Sequence, residues 1–340
     1  MDKNGLAPAM AKLAEEIVSN GIDADEVLRL RREIFRDGIV DREEAKLLFH
    51  LNEVAGTGND QAWYDFFVEA LTDYFVWKQK PFGYLSDEDA DFLVEQITRD
   101  GKIDDNTEFG LLVNIIHRLR LSPEKVVLLT LRGVKETVLG GGTVLFGPKR
   151  RRAGVIDPAD VDIIRTVVIG MGGDGSLLIS KREAELIFEL NNQTVEKENA
   201  PEWQKLFVQA IATYLMFPSG APAVPDRAEA ARRERWLEER RGIGAFMRGM
   251  GSINTHIFAA TASKMLSRDR ETGAAEAMAK AEAFARESIT EAEAAWLIEH
   301  IMRDGILHDN ERALLAFIKE NSPRIDPSLD PLFEQAGLAD

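Results

Sequence analysis

The chain repeats itself, and no other feature restricts its fold as tightly. "REEAKLLFHLN" at 42–52 returns as "KREAELIFELN" at 181–191, 139 residues later. "WYDFFVEALTDYF" at 63–75 returns as "WQKLFVQAIATYL" at 203–215, 140 residues later. Upstream, "IDADEVLRLRR" at 22–32 pairs with "IDPADVDIIRT" at 156–166. Downstream, "LSDEDADFLVEQITRDGKIDDN" at 85–106 pairs with "ITEAEAAWLIEHIMRDGILHDN" at 289–310, now 204 residues apart. The growth of the offset from 140 to 204 measures an insertion of roughly 65 residues in the second copy, between about 218 and 286. A duplicated pattern of this kind specifies the same supersecondary unit twice.

The repeated unit reads as helical. Trp63, Phe66, Phe67, Ala70, Leu71, Tyr74 and Phe75 fall at steps of three and four, and Trp203, Leu206, Phe207, Ala210, Ile211, Tyr214 and Leu215 repeat the steps. Such a stripe buries one face of a long helix. Alternation of period two is nearly absent. Its one candidate is "TVLGGGTVLFG" at 137–147, which reads either as a short hairpin or as a flexible joint. The expected fold is all-α, two tandem helical bundles: a first at 1–139, a Gly-rich and basic linker at 140–154, and a second at 155–340 carrying an insertion at 219–287.

Composition fits that plan and excludes several classes. A chain of 340 residues is long enough for about two domains with their own cores. The start, "MDKNGLAPAMAKLAEEIVSNG", has early acids and no apolar stretch before a cleavage-like site, so a secretory signal is not expected. Nor is there an apolar run long enough to span a membrane. The absence of cysteine removes disulfides, thiolate metal sites and a cysteine nucleophile, and makes the cytoplasm the simplest compartment. A net charge of −16 repels a phosphate backbone, so no specific nucleic-acid partner is expected, and membrane association only peripherally.

Each copy carries an Asp-Gly motif twice: Asp37-Gly38 and Asp100-Gly101, then Asp174-Gly175 and Asp304-Gly305. A helix ending at glycine, then an aliphatic residue, then a capping residue with an acid three positions on, is what a tight corner between helices requires. Asp41 with Glu44, Ser180 with Glu183 and Thr290 with Glu293 have capping-box spacing. Val40, Ile103, Ile179 and Leu307 stand where a hydrophobic staple belongs. Acids nevertheless crowd these corners beyond what caps need, and several carboxylates beside a glycine turn are also what a hard cation such as Ca2+ or Mg2+ takes. The spacing from Gly38 to Glu44 equals the back half of an EF-hand loop. The front half fails, because Glu33 or His300 and Phe35 or Met302 would stand where loop oxygen donors belong. Helix capping and cation binding both stay open on the spacing alone.

An all-α unit with two "DG-x-[I/V]-x…E" corners, each feeding an amphipathic helix, resembles the tellurite-resistance TerB-like family and the amino-terminal domain of DjlA-type co-chaperones. The resemblance covers roughly 20–139 and 154–340 without the insertion. It implies compact helical bundles whose acids near helix starts chelate metal, in proteins tied to stress responses and membrane-associated complexes. Carried over by position, the metal-binding acids would be Asp37, Asp41 and Glu44 with Asp100, Asp104 and Glu108 in the first copy. In the second they would be Asp174 and Glu183 with Asp304, Asp309 and Glu311. Copy two departs from the pattern, with Ser180 in place of Asp41 and two extra residues in its first corner, so the first copy is the better metal candidate.

The insertion, 219–287, holds 12 Lys or Arg against 10 Asp or Glu, so the acidity belongs to the repeats. "DRAEAARRERWLEERRG" at 226–242 reads as a charged helix, solvated or facing an acidic partner. "GIGAFMRGMGSINTHIFAATASKML" at 242–266 reads as a packing helix or lid, with oligomer contact or a membrane-surface helix as alternatives. "GPKRRRAG" at 147–154 reads as an exposed basic joint. His300, Asp304, His308 and Asp309 form the one histidine-acid cluster, and no nucleophile elbow, zinc-protease motif or phosphate loop appears. The expected function is therefore a non-enzymatic module of stress response or complex assembly that binds protein partners, with homo-oligomers among the forms considered, and a divalent cation at its corners. The alternatives are a metal-free scaffold docking through its insertion, and a hydrolase using His300 and Asp304.

Overall fold

The computed structural model describes residues 21–33, 40–55, 59–78, 80–99, 103, 106–120, 122–140, 152–169, 179–216 and 288–338. The insertion, most of the basic joint, Asp37-Gly38, Asp100-Gly101, Asp104 and Asp174-Gly175 lie outside them. Twelve α-helices carry the described chain, and among the described residues no strand is present beyond one isolated bridge between Ile289 and Ile325. The described chain is all-α, as its period of 3.6 requires.

The first half contains α1 (Ala24–Glu33), α2 (Arg42–Ala55), α3 (Gln61–Thr72), α4 (Asp87–Ile97), α5 (Asn106–Arg118) and α6 (Glu124–Gly140). The second contains α7 (Pro158–Ile169), α8 (Lys181–Thr194), α9 (Pro201–Met216), α10 (Glu291–Ile301), α11 (Asp309–Asn321) and α12 (Asp330–Gln335). Because α6 runs through Gly140, the start of the glycine-rich stretch is helix rather than hairpin.

α3 packs on α1 and α5, and α9 packs on α7, α8 and α11. Both are built on the aromatic stripe: Trp63, Phe67 and Leu71 in one, and Trp203, Phe207 and Ile211 in the other, are shut off from solvent. A large apolar side chain so buried gains about 1.5–3 kcal/mol over an exposed one. α6 touches α4 and α5 on one side and α7 and α8 on the other, so the apolar core is continuous from Ile22 to Phe333. Lys135 to Glu189 at 3.0 Å crosses the same seam.

The polar contacts inside each half recur at the repeat's own offsets. The Ile22 N–H donates to Asn59 Oδ1 at 3.0 Å, and the Ile156 N–H donates to Asn199 Oδ1 at 2.9 Å. The Asp60 N–H reaches the Ile22 carbonyl, and the Ala200 N–H reaches that of Ile156. Asp23 and Glu26 exchange backbone and side-chain bonds at the start of α1, as Asp157 and Asp160 do at the start of α7. Trp63 Nε1 donates to Asn52 Oδ1 at 2.9 Å, and Trp203 Nε1 to Asn191 Oδ1 at 3.2 Å.

One difference between the halves is local. α9 stays α-helical to Met216, whereas α3 passes at Asp73–Trp77 into a π-helical turn. The wider winding breaks the three- and four-residue steps. Val76 turns inward, and Trp77, which a further step from Tyr74 would place on the buried stripe, is exposed.

Candidate functional site

The corners are where the sequence concentrates its acids, and four helix starts, those of α2, α8, α10 and α11, show how such acids are used. At the start of α2, the Asp41 N–H donates to Glu44 Oε2 and the Glu44 N–H donates to Asp41 Oδ1, both at 2.8 Å. This reciprocal pair is a capping box with Asp in place of Ser or Thr, and it satisfies two of the donors a helix start leaves orphaned. Val40 before it is buried as the staple. Glu43 pairs with Lys46 at 2.7 Å and Arg42 with Glu88 at 3.2 Å, both in solvent, where such pairs contribute little.

At the start of α8, Ser180 and Glu183 form the same box, with the Ser180 N–H donating to Glu183 Oε2 at 2.9 Å and the Glu183 N–H to Ser180 Oγ at 3.3 Å. Here the carboxylate is buried. Loss of solvent pushes the Glu183 carboxyl up to about 7, against the Ser180 N–H that favours its charged form. Ile179 is the buried staple. The start of α10 is capped through Glu293, which accepts from both the Thr290 N–H and the Thr290 hydroxyl at 2.8 Å.

The Asp304-Gly305 corner joins α10 to α11. Gly305 has φ of +74°, a left-handed conformation that a side chain would strain. Asp304 Oδ1 accepts the Ile306 N–H at 2.9 Å, and its Oδ2 lies 2.9 Å from His308 Nε2. The His308 bond and the Ile306 N–H hold the Asp304 carboxyl below the ordinary carboxylate range. The His308 N–H donates to Glu311 Oε2 at 2.9 Å, and burial pushes the Glu311 carboxyl up to about 7. Leu307 is the buried staple, while Met302 and Ile306 stand exposed on either side.

The carboxylates named by spacing therefore divide. Asp41 and Glu44 meet each other, Asp304 meets His308, and Glu311 turns to the backbone of its own helix. Asp309 is exposed at the first turn of α11, and Glu108 is half-buried on α5 with a partner of its own. Asp37, Asp100 and Asp104 lie outside the described residues. Among the described residues, no group of three or more His, Asp or Glu is arranged to hold a metal ion. No described helix is long and apolar enough to cross a membrane.

His300, the residue of the hydrolase alternative, is half-buried on α10. Its ring lies 4.1 Å from that of Trp296 and 5.3 Å from that of Phe188, and its Nδ1 is 2.7 Å from the Trp296 carbonyl. An imidazole one turn after a tryptophan stacks on it because the two share a helix face.

Behind the second corner sits a polar hub that periodicity alone passes over. Asn191 is fully buried on α8, and its Oδ1 accepts from both Trp203 Nε1 and, at 2.7 Å, Asn310 Nδ2 of α11. The signal was present in the repeat, since Asn52 and Asn191 both close the sequence run "LN" and Asn106 pairs with Asn310. A polar residue recurring within an apolar stripe marks a buried hydrogen bond.

No family model matches the chain, and neither a curated protein nor a solved structure matches it.

Proposed function

We propose that the chain is a tandem TerB-like helical module of the cytoplasm that works by binding other proteins, in complex assembly or stress response, without catalysis of its own. One observation carries the reading: at each helix start described above, those of α2, α8, α10 and α11, an acid is engaged in holding the fold. Asp41, Glu44, Glu183, Glu293 and Glu311 each accept a backbone N–H at a helix start. The recurrence of the Asn-Trp, Asn-Ile and cap hydrogen bonds at the repeat offsets supports duplication of one unit. What remains for function is surface.

A cation is not required by this reading. At the Asp304 corner a metal would find Asp304 and His308 side by side, two donors where Ca2+ takes 6–8 oxygens and Mg2+ an octahedron. Isothermal titration with Ca2+ and Mg2+ should give no saturable heat that depends on Asp304 or Glu44. Saturable heat lost in Asp41→Asn with Glu44→Gln restores the metal reading. The hydrolase alternative would have to act through His300 Nε2, since the ring is stacked on Trp296 and its Nδ1 lies 2.7 Å from the Trp296 carbonyl.

The assembly reading is tested by affinity capture from the native host with the full chain and with a chain lacking 219–287. A defined partner retained by the first and lost or kept by the second assigns it to the insertion or to the bundles. Absence of any stoichiometric partner under cross-linking, together with turnover of a substrate panel, sinks the proposal.

A further inference from the structure

The two copies finish differently, and the difference leaves one apolar corner open. In the first half α6 follows α5 and lies over the corner between α4 and α5, touching both helices. Gly133 makes the approach possible: a Cβ there would stand 2.9 Å from Ile103 Cδ1 and 3.3 Å from two ring carbons of Phe109, on the first turn of α5. With seventeen residues α6 is about 26 Å long, enough to run the length of α5 and reach its start.

In the second half α12 follows α11 as α6 follows α5, but with six residues it is about 9 Å long. Gly337, with φ of +75°, ends it: the Gly337 N–H donates to the Glu334 carbonyl and the Leu338 N–H to that of Phe333. The segment stays at the far end of the α10–α11 pair. Ile325 bridges to Ile289 at the start of α10, and Lys319 near the end of α11 lies 5.6 Å from the Phe333 ring and donates to the Leu338 carbonyl. At the opposite end, Met302 is 44% and Ile306 58% exposed, at the positions that Thr98 and Lys102 hold in the first copy. The corner that α6 covers thus carries polar residues, and the corner that α12 leaves bare carries apolar ones, the reverse of what solvent alone favours.

We propose that the corner between α10 and α11 is a docking site for an amphipathic helix of another protein, seated as α6 is seated on the first corner. The inference rests on the assembly reading above and names its surface and the form of its partner. The partner's chemistry follows from α6: Val127, Leu131, Val134 and Val138 are buried at steps of four, three and four, and Gly133 stands where the corner side chain enters. A partner helix therefore needs an apolar stripe with a small residue at its closest point. Charge does not select it, because the exposed Arg303 and Arg312 stand against the exposed Asp304 and Asp309. Nor does a second copy of this chain supply such a helix. Among the described residues its other exposed large apolar side chains are Leu28, Val54, Trp77 and Phe82, and no described α-helix carries two of them.

The test uses a fluorescently labelled peptide of residues 122–140, the chain's own α6, read by anisotropy against the full chain. It should saturate. Binding should weaken at least about ten-fold in Met302→Glu with Ile306→Glu, and at least about ten-fold when the peptide carries Gly133→Leu. Trp77→Ser with Phe82→Ser, elsewhere on the surface, should bind as the wild type does. Met302 and Ile306 are exposed, so thermal melting should not change; if the double glutamate chain melts early, Met302→Ser with Ile306→Ser decides. No saturation, equal binding of the Gly133→Leu peptide, or an equal loss in the Trp77→Ser, Phe82→Ser chain overturns the proposal. Binding that survives in Met302→Glu with Ile306→Glu overturns it too, since the peptide is then exchanging with α6 in the first half. So does dimerisation of the full chain in light scattering that the same variant abolishes. Intact partner capture by the Met302→Glu, Ile306→Glu chain sinks this surface alone, whereas failure of capture by the unmodified chain sinks the assembly reading.

Discussion

Replacing Asn191 by Ala should cost far more than its size suggests. The side chain is fully buried, and one oxygen serves two donors, Trp203 Nε1 at 3.2 Å and Asn310 Nδ2 at 2.7 Å. Alanine removes the acceptor and strands both donors away from water. Each stranded donor costs about 1–3 kcal/mol, so the loss should reach about 3–5 kcal/mol once the small cavity is included. That is a large fraction of the 5–15 kcal/mol a folded domain usually holds. Urea unfolding followed by far-ultraviolet circular dichroism gives the number, provided the slope with denaturant is unchanged. The cycle with Trp203→Phe sharpens it: with the indole gone, Asn191→Ala strands one donor instead of two, so the penalties should be sub-additive by about 1–2 kcal/mol. A loss below about 1 kcal/mol for Asn191→Ala, or full additivity, refutes the hub as a source of stability.

Three further outcomes follow from other sites. Gly110→Ala should destabilise by about 1–3 kcal/mol despite the better helix propensity of alanine, because its Cβ would lie 2.3 Å from Tyr64 Oη and under 3 Å from two ring carbons; combining it with Tyr64→Ser should recover most of the loss in thermal unfolding. Trp296→Phe should be neutral within about 1 kcal/mol, unlike the same change at Trp63 or Trp203, because the buried Trp296 Nε1 has no acceptor among the described residues; a loss above about 2 kcal/mol in urea unfolding would reveal a bond there. Stability should peak on the acidic side of neutrality. Glu183 and Glu311 stand at about 7 in the folded chain against an ordinary 4.5, so the folded state holds protons the unfolded state has released, and the stability they confer is lost as pH rises through about 7. Asp304 and Asp326 are held low and act in the opposite sense, their contribution vanishing as pH falls through their own titration. The urea midpoint should therefore be highest near about pH 5 and fall toward pH 8, and Glu183→Gln with Glu311→Gln should flatten that fall; a midpoint rising from 5 to 8 would contradict the burial argument.

Much of the scaffold was legible because it is local. Trp63, Phe66, Phe67 and Leu71 are buried where their spacing put them, and Val40, Ile179 and Leu307 are buried as staples. The Asp41-Glu44 and Ser180-Glu183 boxes form as their three-residue spacing required. The chemistry of the corners was less legible. Spacing left Glu44 open between helix cap and cation ligand, and the structure shows that Glu44 and Glu311 each accept a backbone N–H, because a carboxylate three residues inside a helix start reaches its own cap. The surroundings of His300 were legible only in part: its place one turn after Trp296 is local, but Phe188, whose ring lies 5.3 Å away, comes from α8 and is brought there by packing.

By itself, then, the order of residues determined the helices, their ends, the buried stripe and the two-fold recurrence of the pattern, since periodicity and capping act over a few neighbouring positions. Tertiary structure alone decided that Asn191 reaches Asn310 across 119 positions, that the π-turn expels Trp77 from the stripe, and that Glu183 and Glu311 are buried while Glu44 is only half-buried. Each of these depends on what packs over a side chain, and that is set by contacts between residues far apart in the chain.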